Sequence, residues 1–170
     1  MRFDIMTLFP ALIDCVMGES VIGRAQARGL GSVNAYNIRD WALDKHHKAD
    51  DAPYGGGRCM VMLAEPLYLC HQAVCGGEHV HTVMMSAHGA PLCQQKAREL
   101  LARERFILVC GHYEGIDQRF IDQCVDEEIS MGDFVLTGGE IPAMAVADAV
   151  CRMVPGVLPY AECFEEESHW

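Results

Sequence analysis

The sequence predicts an α/β fold in which helices cover a parallel β-sheet. Short apolar segments alternate with amphipathic helical segments along the 170 residues, as in sheets built from strands and crossover helices. Phe106–Cys110 is a continuous apolar run, typical of a strand buried on both faces. The length suits one domain, since domains typically have about 100–200 residues.

The elements follow from these patterns in order along the chain. Gly29 is a suitable C-terminal stop for the second helix, and Pro66 suits the first turn of the third. Residues 40–57 are polar and Gly-rich and are predicted to be a loop. The predicted strands are Phe3–Leu8, Val33–Ile38, Cys59–Leu63, His81–Met85, Phe106–Cys110, Val125–Ser130 and Phe134–Leu136. The predicted helices are Ala11–Met17, Ser20–Arg28, Pro66–Val74, Pro91–Arg103, Ile116–Cys124 and Ile141–Met153.

Composition narrows the class of protein. A hydrophobic fraction of 51% excludes disorder of the whole chain. The 13 basic and 24 acidic residues give a formal charge of −11, which argues against a general nucleic-acid binder, because such proteins neutralise phosphates. Nine cysteines are irregularly spaced, without a CxxC pair. We therefore expect reduced cysteines and a cytoplasmic protein. Asp4 and Pro10 interrupt any signal sequence, and no apolar stretch is long enough to span a membrane.

Three glycine-bearing segments follow three of the predicted strands. They are residues 86–89, 111–115 and 131–140. In open α/β sheets, ligands bind beyond the carboxyl ends of the strands. Each segment alone could be an ordinary turn, but three at one sheet edge favour a ligand pocket.

The chemistry of these segments limits the ligand. The sequence has neither G-x-x-x-x-G-K-[ST] nor a G-x-G-x-x-G after a strand, so the common phosphate and dinucleotide motifs are missing. The segments offer backbone groups, the apolar Met131, Phe134 and Leu136, and the carboxylate of Glu114. This combination suits a neutral or cationic ligand with an aromatic base.

A fourth Gly-rich segment, residues 50–58, follows Lys45-His46-His47-Lys48. It is either a solvated loop or a lid over a substrate. As a lid it would offer Tyr54 for stacking, and Lys45, Lys48 and Arg58 for phosphates.

Four stretches closely resemble the bacterial tRNA (guanine-N1)-methyltransferase family, TrmD. They are HHKADDAPYGGGRCMVM, CGHYEGIDQRF, EEISMGDFVLTGGEIPAMAVADAVCRMVPGVL and the terminal EESHW. The resemblance runs from Met1 to Trp170. Members of this family methylate the guanosine immediately 3′ of the anticodon, position 37 of tRNA.

The resemblance implies a fold of the SPOUT class, with a deep trefoil knot in the C-terminal part that holds S-adenosylmethionine. It also implies a homodimer with the active site at the interface, and the tRNA anticodon stem-loop as partner. Mg²⁺ is a candidate second cofactor for catalysis, and the sequence does not decide whether it is required. The cofactor contacts would fall on Ser86, Ala87, Gly111, Tyr113, Glu114, Gly115, Met131, Gly132, Asp133, Phe134, Val135, Leu136, Thr137, Gly138, Gly139 and Pro142.

The resemblance places the catalytic roles on two residues. Glu167 would be the general base for guanine N1, and Arg152 would stabilise charge at O6. Without the resemblance, Glu167 could be a solvated member of an acidic run, and Arg152 a cation at a helix C-terminus. Family members commonly have Asp at position 167, Gly at 59, Pro at 87 and Gln at 88. Substrate contacts would fall on His46, Asp51, Tyr54, Gly55 and Arg58.

The family's chains continue into a helical tRNA-binding domain. We therefore expect residues 1–158 to form the methyltransferase domain and residues 159–170 to begin an interdomain linker. On this expectation the chain is the catalytic domain alone, with weak or absent tRNA methylation.

Three alternatives remain open at this point. Another knotted methyltransferase would act on a different RNA base, and a cofactor-binding fragment would show no turnover. Zinc binding is the third, because Cys70, His71, Cys75, His79 and His81 lie close together, although their spacing fits no standard zinc motif.

Overall fold

The computed structural model describes residues 1–52 and 60–159. A five-stranded sheet runs through the molecule in the order β2-β1-β6-β5-β7, and all neighbours are parallel. A small antiparallel pair, β3 and β4, lies beside it. The strands are β1 Arg2–Thr7, β2 Ser32–Asn37, β3 Asp50–Asp51, β4 Val61–Met62, β5 Thr82–Pro91, β6 Arg105–Cys110 and β7 Glu127–Ser130. The predicted parallel α/β architecture is confirmed.

Helices cover both faces of the sheet. The buried side chains of α1, α2, α4 and α6 form one core layer with the sheet, and those of α3 and α5 form a second. A short 3₁₀ helix, Ile38–Trp41, follows β2. The helices are α1 Pro10–Met17, α2 Ser20–Ala27, α3 Ala64–Cys75, α4 Gln94–Leu101, α5 Gln118–Cys124 and α6 Glu140–Cys151.

The central strand β6 explains why both faces need cover. Phe106 and Leu108 point into the α1, α2, α4 and α6 layer, whereas Ile107 and Val109 point into the α3 and α5 layer. All four side chains are fully buried. Burying an apolar side chain of this size contributes about 1.5–3 kcal/mol, so β6 holds both layers together.

The structure corrects two predicted boundaries around the first glycine segment. β5 continues to Pro91 instead of ending at Met85, and α4 begins at Gln94 instead of Pro91. The register of β5 against β7 shifts between Met85 and Ala90. A Cβ on Gly89 would lie 2.5 Å from backbone atoms of β7. The glycine therefore allows close strand packing after the shift.

The predicted strand Phe134–Leu136 is wrong. These residues form an irregular segment, and Phe134 and Val135 are 53% and 86% exposed. Their apolar pattern reflects exposed side chains in a connection between β7 and α6. No helix within residues 1–52 and 60–159 is long and apolar enough to span a membrane.

Candidate cofactor-binding site

A cavity of about 400 Å³ lies at the carboxyl ends of β5, β6 and β7. These strands are neighbours in a parallel sheet, so the segments that follow them meet at one edge. The cavity is lined by Met84, Met85, Ser86, Ala87, His88, Gly111, His112, Tyr113, Glu114, Gly115, Ile116, Ile129, Ser130, Met131, Phe134, Val135, Leu136, Thr137, Gly138, Gly139 and Pro142.

The structure brings the predicted cofactor residues together. All of them line the cavity except Gly132 and Asp133, which lie in the same segment without facing it. The prediction missed other lining residues, notably His88 and His112. Both histidines lie within glycine segments that were predicted to form the pocket, so their position in the chain could have identified them as lining residues.

The second and third segments cross at the floor of the cavity. The Gly139 N–H donates to the Gly111 carbonyl at 2.9 Å, and His112 and Gly138 form an isolated β-bridge. A Cβ on Gly139 would lie 2.7 Å from Cα of Cys110. Only glycine permits this approach without moving the backbone, so the crossing needs a residue without a side chain.

The 111–115 segment is held in a tight shape. Tyr113 has φ 61° and Gly115 has φ 135°, both in the region that favours glycine. β4 supports the segment, because the Met62 N–H donates to the Gly115 carbonyl at 3.0 Å. The Glu114 N–H donates to the Met60 carbonyl at 3.1 Å. The backbone around Tyr113 and Glu114 is therefore fixed on both sides.

The charge of the cavity matches the ligand class predicted from the sequence. Among the described lining residues there is no Lys or Arg, and Glu114 is the one carboxylate. Apolar side chains such as Ile129 and Leu136 alternate with backbone groups of the glycine segments. A polyphosphate would find no Lys or Arg among these residues, whereas they are compatible with a neutral or cationic ligand that carries an aromatic base.

A buried hydrogen-bond network that the sequence did not predict lies behind the cavity. Nε2 of His112 is 2.6 Å from Oε2 of Glu140, and Oε1 of Glu140 accepts a hydrogen bond from the Thr7 hydroxyl at 2.7 Å. The His112 ring also packs on Phe9, with ring centroids 5.0 Å apart. No sequence pattern joins Thr7 to Glu140, because they are far apart in the chain.

The predicted substrate residues lie only partly within the described chain. His46 is exposed in a turn that Asp44 organises, because the Asp44 carboxylate accepts the N–H groups of His46 and Lys48 at 2.8 and 2.7 Å. Asp51 is exposed in β3. Tyr54, Gly55 and Arg58 lie outside the described residues.

Of the two predicted catalytic residues, the structure describes Arg152, which does not line the cavity within one chain. Arg152 is half-buried at the C-terminal end of α6. Pro142, near the start of the same helix, does line the cavity. About 15 Å of helix separates them, given a rise of about 1.5 Å per residue. Glu167 lies outside the described residues.

The histidines of the candidate zinc site form hydrogen bonds with other side chains. His71 is buried and bonds to Thr82 at 2.9 Å, while Nε2 of His81 lies 2.8 Å from Glu127. Nε2 of His79 lies 3.2 Å from Asp126. Within the described ranges, no three His, Cys, Asp or Glu side chains are grouped so that they could hold a metal ion.

The whole chain matches one known protein family. The model for the family tRNA (Guanine-1)-methyltransferase TrmD matches residues 1–170. The chain belongs to this family. The resemblance read from the sequence is therefore confirmed, and the family is one of transferase enzymes.

Individual relatives are similar over the whole chain. The tRNA (guanine-N(1)-)-methyltransferase of Ruminiclostridium cellulolyticum is 52% identical over 172 residues, which cover 100% of this chain and 74% of the relative. The enzyme of the same name from Alkaliphilus metalliredigens is 47% identical, with 99% and 70% covered. The crystal structure of tRNA (m1G37) methyltransferase from Aquifex aeolicus matches with a TM-score of 0.86 and 38% identity. That match covers 94% of this chain and 72% of the other.

Proposed function

We propose that this protein transfers a methyl group from S-adenosylmethionine to N1 of guanosine 37 in tRNA. The observation that carries the proposal is the cavity at the carboxyl ends of β5, β6 and β7, which has no Lys or Arg among its described lining residues. The adenosyl group would lie among Leu136, Ile129 and the glycine backbone. Glu114 would attract the cationic part of the cofactor.

A knotted path of the chain is part of the proposal. After β7, at the edge of the sheet, the chain returns to the end of β6, where Gly139 bonds to Gly111. It then continues as α6, which packs against β1 and β6. This return crosses β5 and brings residues 131–140 against the 111–115 segment. The close contact of these two segments supports a chain that passes through an earlier loop, as in a trefoil knot, although knots are otherwise essentially absent from protein folds.

We also propose a homodimer whose active site lies between the subunits. Leu12 and Val16 expose apolar side chains on α1, as does Phe9 immediately before it. Ile141 does so on α6, which packs against α1. Several large apolar side chains exposed on two adjacent helices favour a protein interface. The distance along α6 between the cavity and Arg152 adds a reason, since a partner subunit could bring its own Arg152 to the cavity.

The chemistry then assigns one role to each catalytic residue. When bound, S-adenosylmethionine supplies an electrophilic methyl group. Guanine N1 carries a proton, and Glu167 would accept it as the general base. Negative charge develops toward O6, where the guanidinium of Arg152 would stabilise it. His46 and Asp51 would contact the RNA, together with Tyr54, Gly55 and Arg58.

The test is methyl transfer to a tRNA transcript with guanosine 37, compared with the same transcript carrying adenosine there. We expect N1-methylguanosine at position 37 of the first transcript and no product from the second, with mass spectrometry locating the methyl group. A product at another base would support a different knotted methyltransferase. Cofactor binding without product would contradict the proposed transfer and favour a role in cofactor binding only. Parallel reactions with EDTA would test the Mg²⁺ requirement.

Arg152 can be tested separately. Arg152→Ala should lower the transfer rate at least about 100-fold, because O6 loses its charge partner, while the calorimetric affinity for S-adenosylmethionine stays within about threefold. Arg103→Ala, at an exposed arginine beyond α4, is the matched control and should transfer at the wild-type rate. A parallel loss of cofactor affinity in Arg152→Ala would show a structural role instead.

A further inference from the structure

One buried carboxylate joins three parts of the molecule behind the cavity. Glu140, the first residue of α6, is 3% exposed. Its two carboxylate oxygens form hydrogen bonds with different partners, His112 in the 111–115 segment and Thr7 at the end of β1. A buried carboxylate without hydrogen-bond partners would be strongly unfavourable, so the three elements depend on one another's position.

His112 is the member of this network that reaches the cavity. Its ring lines the cavity wall. A carboxylate can only accept, so Nε2 of His112 donates to Glu140 at 2.6 Å. The backbone N–H of His112 faces the sulfur of Met62 at 3.2 Å, and Phe9 packs on its ring. Contacts from Glu140 of α6, Met62 of β4 and Phe9, in the connection between β1 and α1, thus hold His112 in place.

We propose that His112 and Glu140 are positioning residues for the cofactor site. Neither is assigned contact with the reacting atoms. Their hydrogen bond holds the 111–115 segment, which carries Tyr113 and Glu114, against the start of α6. A segment fixed before binding loses less conformational freedom when the cofactor enters, which strengthens binding. The inference rests on the proposed function, since it takes the cofactor to be S-adenosylmethionine.

The test measures S-adenosylmethionine affinity by calorimetry for His112→Ala, Glu140→Ala and the double variant. Each single change should weaken binding about tenfold or more. The affinity of the double variant should be within about threefold of that of the more weakly binding single variant, because either change alone already breaks the same contact. With tRNA present, KM for the cofactor should rise, and kcat should stay within about threefold of wild type. His112→Gln, which can still donate an N–H, should restore most of the affinity.

The matched control is His79→Ala. His79 also pairs with a carboxylate, that of Asp126 at 3.2 Å. However, it is exposed at the amino ends of the strands, opposite the end of the sheet that carries the cavity. This variant should bind the cofactor as wild type does. If the alanine variants do not fold, Glu140→Gln and Thr7→Val keep the side-chain volume, and each should weaken binding about threefold or more.

Two results would overturn the inference while leaving the proposed function intact. One is unchanged cofactor affinity in folded His112 and Glu140 variants. The other is losses that add in the double variant, since additive losses mean independent roles. If wild-type protein does not bind S-adenosylmethionine, the proposed function fails, and this inference fails with it.

Discussion

Single glycines decide whether the segments around the cavity can cross. Gly139 lies against Cα of Cys110, so a side chain there would displace backbone. Gly139→Ala should therefore lower Tm by about 2–12 °C, given about 1–3 kcal/mol for overpacking and about 2–4 °C per kcal/mol in a chain of this length. Thermal unfolding followed by circular dichroism measures the shift.

Gly111→Ala is the comparison for this change. A Cβ at Gly111 would meet only the side chain of Ile116, at an ordinary 3.6 Å. This variant should unfold within about 2 °C of wild type. If both substitutions lower Tm equally, the close crossing at Gly139 is not what requires glycine.

Individual residues also mark where sequence reasoning succeeds. Tyr113 and Glu114 stand in a glycine segment after a strongly apolar strand, so a local pattern was enough to place them at the sheet edge. Glu140 follows two glycines in a segment that the sequence already singled out. Its partners His112 and Thr7, however, come from distant parts of the chain, and no local pattern connects them to it. Only the folded sheet brings the three together.

At the level of elements, the exposed face of α1 carries the dimer proposal. Leu12→Asp places a charge on this apolar surface, where it would have to lose water in an interface. We expect the variant to be monomeric by analytical ultracentrifugation and to lose most methyl transfer. Exposed Cys15, on the same helix, should then react faster with iodoacetamide.

A suitable control lies on the other face of the sheet. Tyr68 on α3 is 41% exposed, close to the 43% of Leu12. Tyr68→Asp should leave the sedimentation coefficient and methyl transfer unchanged. A wild-type protein that is monomeric at assay concentration, or a Leu12→Asp variant that stays dimeric, would contradict the proposed interface.

The elements differ in how well the sequence predicted them. β6 was clear, because a strand buried on both faces has to be apolar throughout. β5 was predicted too short, because Ser86 and Gly89 look like a turn, whereas strand pairing resumes after the register shift. Phe134–Leu136 was predicted as a strand because the exposed apolar residues of this cavity-lining segment share the composition of a strand.

At the level of the whole molecule, burial determines thiol chemistry. Burial raises the pKa of Cys151 to about 11 and also raises that of Cys70. Both thiols should stay protonated and unreactive near pH 8. Peptide mass spectrometry after iodoacetamide treatment should find exposed Cys93 labelled in the native protein, and Cys70 and Cys151 labelled only after unfolding. Rapid native labelling of Cys70 would contradict this core.

The net charge of −11 is a property of the whole molecule and did not predict its partner. It argued against a nucleic-acid partner, yet the family acts on tRNA. Lys45 and Lys48 are exposed in the turn that Asp44 organises. Two lysines in one turn can contact RNA phosphates, so total charge is a weak guide to the partner of a base-modifying enzyme.

A crystal structure of the protein with S-adenosylmethionine tests the central claim most directly. We expect the cofactor in the cavity between Gly111 and the segment from Met131 to Leu136, with its adenine against apolar side chains and backbone groups. A cofactor bound instead in the cleft between α3 and α5, beside Tyr68 and Asp122, would contradict the account, as would an empty cavity at saturating cofactor.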